Sequence, residues 1–306
     1  MPTPPARRVL ITGATGFVGR HVLPRAVAAG WETHAVHRLA EPVACNGVTW
    51  HQVDLLDAGA TRRLVDAVRP SHLLHAAWTL VPGQYTTSID NLAWIRSSLV
   101  LLEAFAAAGG SRAVCLGTCF EYDSRQGLCS ESVTPLRPTT LYGAAKHSVH
   151  IAAEAFARQA GFELVWARLF FLYGSHESPG RLMASVVRSL LKGEPARCSH
   201  GRQIRDFLHV DDVASALAAV LGSRVTGAIN IASGEPIAVG EIVGRIADRL
   251  GRLDLVQFGA VPVPADDPPL IVGDIRRLRD EVGWAPAIDL DRGLEQTIRW
   301  WRDGRG

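Results

Sequence analysis

Val9-Leu-Ile-Thr-Gly13-Ala-Thr-Gly16-Phe-Val-Gly19 carries an apolar, β-rich run straight into three evenly spaced glycines and then into a helical pattern. Gly13 permits a tight turn, Gly16 lets backbone approach a pyrophosphate, and Gly19 allows close helix–strand packing. The start of the helix offers free N–H groups and the positive end of its dipole to phosphate. The spacing is GxxGxxG rather than GxGxxG, with Thr15 and Phe17 as further candidate contacts within the loop. Because the motif sits directly behind the first expected strand, it reads as a dinucleotide-binding turn.

Working outward, short β-rich runs alternate with helical stretches. Strands are expected at 8–12, 32–37, 48–53, 73–75, 113–117 and 163–168, and helices at 17–29, 60–68, 89–108 and 142–160. Pro24 falls inside the first helix, where it removes a hydrogen bond. This alternation implies right-handed crossovers and an α/β fold with a doubly wound parallel sheet. After Tyr173, Pro179, Pro195, Pro236 and the cluster Pro262–Pro269 cut the chain into shorter pieces. Such a region suits a smaller C-terminal α/β domain that closes over a ligand. The expected division is 1–174 for dinucleotide binding and 175–306 mainly for substrate, with about 205–234 returning to the first part.

The net charge of +2 comes with scattered basic residues, so no basic face for nucleic acid is expected. Five cysteines, odd in number and without a CxxC pair, exclude a disulfide framework and a zinc site. His72/His75 and His147/His150 are each three apart, but no third ligand stands near them in sequence, and no metal is expected. No apolar stretch reaches the roughly 20 residues a membrane span needs. The polar, Pro-rich segment Met1–Arg8 is no signal peptide. A soluble, cytoplasmic protein is expected.

Cofactor preference is read at the end of the second strand, where NAD binders place an acid for the ribose 2′-hydroxyl. Here His37-Arg38 stands instead, and the nearest acid, Glu41, lies beyond the strand. An arginine suits a 2′-phosphate, so NADP(H) is favoured, with NAD(H) possible. Asp54, followed by Leu55 after the third strand, is placed to reach the adenine or else to form a turn.

Tyr142-Gly-Ala-Ala-Lys146 sets a phenol and an ammonium four residues apart, on one face of a helix. A free phenol titrates near ~10 and is a poor acid–base at neutral pH. A neighbouring ammonium, with a positively charged nicotinamide above it, is expected to lower that value. With four tyrosines and two lysines in 306 residues, such a pair arises by chance roughly 0.03 times.

The glycine loop, Leu74-His75-Ala76-Ala77, a hydroxyl residue after the fifth strand and the YxxxK pair together resemble the extended short-chain dehydrogenase/reductases. These have a Rossmann sheet and include the NAD-dependent epimerase/dehydratase family acting on nucleotide sugars. Gln203-Ile-Arg205-Asp206-Phe-Leu-His-Val-Asp211-Asp212, the run from Gly273-Asp274, and Val282-Gly-Trp284-Ala-Pro286 extend the resemblance over essentially the whole chain. It implies that Thr118 holds the substrate oxygen beside Tyr142, and that Lys146 also binds the nicotinamide ribose. Ala76, Ala77, Trp78 and Phe170 would line the cofactor. Thr79, Thr118, Phe120, Phe171, Leu182 and Arg205 would line the substrate, with an internal Arg205–Asp206 salt bridge as the rival reading of Arg205.

Departures from the family pattern narrow the reaction. The 4,6-dehydratases follow the threonine with Asp-Glu, whereas this chain has Cys119-Phe120. Glu121 is one position late and, on a strand, would face the other way. Phe171 replaces an asparagine that helps bind diphosphate, and Pro264 stands near the place of a missing arginine. Phe170, Phe171 and Trp78 make the pocket apolar, which suits a 6-deoxysugar. The expected function is NADPH-dependent reduction of a nucleotide-activated 4-keto-6-deoxyhexose. The alternatives are a 4-epimerase with tightly bound NAD and a non-catalytic NADP(H)-binding sensor. The resemblance also implies a homodimer, through a four-helix interface built from 89–108 and 142–160.

Overall fold

The computed structural model describes residues 7–39, 44–264 and 267–304. Glu41 lies outside the described residues. The first half runs β1 (Arg8–Thr12), α1 (Gly19–Ala28), β2 (Glu32–His37), β3 (Val48–Gln52), α2 (Ala58–Val68), β4 (His72–His75), α3 (Asp90–Ala107), β5 (Arg112–Thr118), β6 (Leu128–Cys129), α4 (Leu141–Ala160) and β7 (Glu163–Leu169). The second half runs β8 (Phe171–Tyr173), α5 (Leu182–Leu191), β9 (Ala196–Arg197), β10 (Ile204–His209), α6 (Val210–Gly222), β11 (Gly227–Ile231), β12 (Pro236–Ala238), α7 (Val239–Leu250), β13 (Val256–Gln257), β14 (Leu270–Gly273), α8 (Arg276–Asp280) and α9 (Leu290–Arg302).

Seven strands form one sheet in the order β11-β7-β5-β4-β1-β2-β3, and every neighbouring pair is parallel. Both faces are covered, which is why β1 reads as an unbroken apolar run and Val9, Leu10 and Ile11 are fully buried. On one face α1 and α6 contribute Val22, Leu23, Val213 and Leu217. On the other, α3 and α4 contribute Leu101, Phe105, Val149 and Ala153. Strand order reverses between β1 and β4, so their carboxyl ends open the crevice in which such sheets bind ligands.

A smaller sheet, β12-β10-β14-β6 with β8 on β10, stands at that end. The helices α5, α7 and α9 pack together behind it through Val187, Ile242, Ile246 and Leu294. The chain passes between the two sheets. β10 belongs to the smaller one, whereas α6 and β11 return to the larger, a later return than the expected residue 205.

Two local expectations are corrected. The first helix starts at Gly19 rather than residue 17, because the glycine turn continues through Val18; Pro24 sits inside it and is exposed. Cys119–Glu121 is a 3₁₀ turn rather than strand. Thr118 caps that turn, and Glu121 swings inward to complete a capping box. No helix among the described residues is long and apolar enough to cross a membrane.

Candidate active site

The glycine turn presses β1 against the end of β4. Gly13 has φ +66°, and a methyl group on it would lie 2.6 Å from the Ala76 carbonyl carbon. A methyl group on Gly19 would lie 2.2 Å from the Gly13 oxygen, so only glycine lets α1 start this close to the strand. The buried His75 ring locks the strand ends, with Nδ1 2.7 Å from Thr12 Oγ1 and Nε2 2.9 Å from Ser98 Oγ. Burial holds that imidazole down to about 3, so it stays neutral. Gly13, Thr15, Gly16, Phe17, Gly19 and Ala76 edge a cavity of about 650 Å³.

Thr118, Tyr142, Lys146 and Trp78 border the same cavity. Thr140 caps α4 by accepting from the Gly143 N–H at 3.1 Å, which sets Tyr142 and Lys146 one turn apart and both buried. Lys146 Nζ donates to the Leu116 carbonyl at 2.8 Å and lies 3.8 Å from the Trp78 ring centroid. Burial lowers this amine to about 7, with Glu121 and Cys115 pulling the other way. The Tyr142 phenol is pushed up by burial, and a side-chain hydrogen bond with Thr118 opposes the rise. The chain's own groups thus raise the phenol, whereas the expected lowering counted on a positively charged nicotinamide beside the lysine.

The NAD dependent epimerase/dehydratase family model matches residues 9–232, most of the chain. The chain belongs to this family. UDP-glucuronic acid decarboxylase 1 of Danio rerio is 26% identical, covering 96% of this chain and 72% of that one. A dTDP-4-dehydro-6-deoxy-D-allose reductase from a Streptomyces species is 26% identical over 97% of this chain and 96% of its own. Among solved structures, the UDP-glucose 4-epimerase of Thermus thermophilus in complex with NAD superposes with a TM-score of 0.85 at 27% identity, covering 96% and 99%.

Several residues expected to touch ligand do not border this cavity. Ala77 is buried behind the cavity wall, its N–H donating to Thr12 Oγ1 at 3.3 Å. Thr79 accepts from Trp94 Nε1 at 2.9 Å, and so braces the tryptophan that stacks on Trp78. Leu55 is core, and its carbonyl accepts from Thr61 and Ser97 hydroxyls. Asp54 holds a turn by accepting from the Leu56 N–H at 3.0 Å. His37 and Arg38 end β2 outside the cavity, Arg38 exposed.

Of the residues expected to line the substrate, Phe120, Phe171, Leu182 and Arg205 border the cavity, as does Phe170, expected to line the cofactor. Arg205 pairs with Asp267 at 2.8 Å and with the Pro268 carbonyl. Its partner is not Asp206, because neighbouring strand residues point to opposite faces. Asp206 instead accepts from the N–H groups of Ser233, Gly234 and Gly273. Sequence reasoning missed Arg20, Tyr85, His176, Glu177 and Arg181, which also border the cavity. Of these only Arg20 had a signal, its place directly after Gly19. Tyr85 meets Tyr142 edge-on at 5.1 Å, and Arg181 lies 5.0 Å over the Tyr85 ring.

Beneath the site lies a buried polar network. Glu121 accepts from the Thr118 N–H and Trp166 Nε1, each at 2.8 Å, and from Arg168 Nε at 3.2 Å. Arg168 continues to the Tyr122 hydroxyl at 2.9 Å and reaches His150 Nδ1 at 3.3 Å. Glu121 also supplies the third group that the His147/His150 spacing lacked, their ligand atoms all lying within 4.8 Å. That carboxylate is already committed to an arginine, an indole and a backbone amide, so its arrangement suits an ion pair rather than a metal.

Proposed function

We propose that the chain reduces a nucleotide-activated 4-keto-6-deoxyhexose, and one observation carries the reading: the walls around Tyr142 are aromatic and poor in carboxylate. Phe120 and Tyr85 lie 6.2 and 5.1 Å from the phenol ring, and Phe171 packs 6.4 Å from Phe120. Cys119 and Phe120 occupy the positions where water elimination needs an acid and a base. Cys119 is buried and does not border the cavity, which speaks against its thiol standing in. Phenyl walls suit a C6 methyl group, and the likeness to a 4-dehydro-6-deoxyhexose reductase supports the same substrate class.

The glycine turn fits a dinucleotide pyrophosphate, because Gly13, Gly16 and Gly19 border the cavity with no side chain to stand in the way of a phosphate. Ala76, Trp78, Phe170 and Lys146 border the cavity beyond it, where the nicotinamide half would lie. We favour NADPH, since exposed Arg38 at the end of β2 suits a 2′-phosphate. Bound there, the nicotinamide supplies the hydride for the ketone carbon. Tyr142 gives its proton to the ketone oxygen, Thr118 orients that oxygen, and Lys146 returns a proton to the phenol. Leu182 and Arg205 would meet the nucleotide end. α3 and α4 leave Leu92 and Ile151 exposed, which supports a homodimer through these helices.

The test is hydride consumption with NADPH, then NADH, against nucleotide-linked 4-keto-6-deoxyhexoses, with Tyr142→Phe as control. Stoichiometric NADPH oxidation that the variant loses is the expected result. A second reading, 4-epimerisation with retained NAD, is favoured by the likeness to the NAD-bound epimerase. Interconversion of nucleotide sugars without net oxidation would select it.

A further inference from the structure

Glu177 is the only acidic residue that borders the cavity among the described residues. It is 5% exposed, and its Oε2 is buried without a hydrogen-bond partner. Buried carboxyl oxygens are ordinarily paired, and an unpaired one on a residue that borders a cavity points to a ligand that completes it. Its neighbours divide the site. His176 turns to Arg20, 2.5 Å away, which in turn holds the Thr15 carbonyl of the glycine loop. Arg181 covers Tyr85 beside the catalytic phenol. Glu177 therefore stands between the phosphate loop and the reaction centre, where the hexose would lie.

We propose that Glu177 is a substrate-reading residue, its free carboxyl oxygen hydrogen-bonding a hydroxyl or ring oxygen of the hexose; this rests on the nucleotide-sugar reading above. Burial pushes the carboxyl up to about 8, so at neutral pH it can donate a proton into a hydrogen bond as well as accept one. A neutral acid also suits an uncharged sugar, because it brings no unpaired charge into a dry pocket. The rival role is structural: the same carboxyl accepts from the Ala184 N–H in the first turn of α5.

The experiment is calorimetric titration of the full chain, saturated with NADP⁺, with UDP, UDP-glucose, dTDP and dTDP-glucose. Wild type is expected to bind the better hexose form about tenfold tighter than its bare diphosphate, one good hydrogen bond's worth. Glu177→Leu is expected to lose that gain while the diphosphate Kd stays put. Glu177→Gln, which keeps a neutral donor and acceptor, retains it. The proposal is overturned if Glu177→Leu keeps the gain. It is equally overturned if hexose and bare diphosphate weaken together with thermal stability, the signature of a helix cap, or if only NADP⁺ binding changes. If wild type binds none of the four probes, the proposal falls together with the nucleotide-sugar reading for uridine and thymidine diphosphates.

Discussion

Replacing Glu121 by glutamine separates the charge of the buried network from its hydrogen bonds. Glu121 is fully buried and Arg168 is 1% exposed, so neither end of the pair is relieved by water. The glutamine oxygen still accepts from the Thr118 N–H and from Trp166 Nε1, whereas its amide N–H₂ is set against Arg168 Nε. Removing one partner of a buried ion pair costs about 3–5 kcal/mol, because the remaining charge is left uncompensated. Domains of this kind are stable by only about 5–15 kcal/mol, so the variant should unfold at a clearly lower urea midpoint. Adding Arg168→Met removes the stranded charge, and Tyr122 still donates to Asn230 Oδ1 at 2.8 Å. The double variant should therefore be more stable than Glu121→Gln alone, with a coupling of about 2–3 kcal/mol. Equilibrium urea unfolding of the four proteins measures this. A cost below ~1 kcal/mol for Glu121→Gln, or strictly additive effects, would refute the argument and leave Glu121 as a hydrogen-bond acceptor only.

Tyr142→Phe should abolish turnover while leaving NADPH binding within about twofold, since the phenol oxygen moves a proton and holds no phosphate; single-turnover absorbance and fluorescence titration read the two parts. Arg38→Asp should invert the cofactor preference by about tenfold or more in kcat/KM, by exchanging a partner of the 2′-phosphate for one of the 2′-hydroxyl. Two buried groups should tilt stability with pH in opposite senses. Between about 7 and 10.5 the unfolded chain keeps a Lys146 proton that the folded chain has shed, so this contribution rises with pH. Between 4.5 and about 8 the folded chain keeps a Glu177 proton that the unfolded chain has lost, so stability present below 4.5 is lost as pH rises through 8. Urea unfolding at pH 5, 7 and 9 should show the first slope vanish in Lys146→Met and the second in Glu177→Gln. Light scattering at micromolar concentration should return twice the monomer mass of 33.0 kDa.

What was legible from the amino acids is what short-range pattern encodes. β1 and β2 have the expected ends, because apolar runs and flanking glycines mark them, and Tyr142 and Lys146 share a face because helix geometry puts positions four apart together. What was not legible depends on partners far along the chain. Arg205 finds Asp267, 62 positions away, rather than its neighbour. Thr79 looks like a pocket residue until Trp94 claims its hydroxyl. Asp54 also holds a local turn and Leu55 also packs in the core, roles that their place after a strand did not announce. Glu177 carried no pattern at all, since an acid in a short polar loop looks like any solvated surface group.

Glu121 shows how a departure in sequence can be read two ways until geometry decides. On a strand it would be a misplaced catalytic acid facing away from the substrate. On the 3₁₀ turn it faces inward, beneath Thr118 rather than beside it, and its oxygens are taken by the Thr118 amide, Trp166 and Arg168. The turn thus brings a carboxylate close enough to fix the threonine, yet keeps it from the proton traffic of water elimination. What remains around the cavity beside Thr118 and Lys146 is the Tyr142 phenol among aromatic rings, Tyr85 included. That set can carry a single proton to an oxygen that has just gained a hydride's electrons, which is the requirement of ketone reduction and of the return half of epimerisation. The two are separated by whether the cofactor leaves after one transfer and whether the sugar can turn over between halves. The reductase reading therefore stands on the cofactor's release and on how firmly this pocket, through groups such as Glu177, holds the hexose in one orientation.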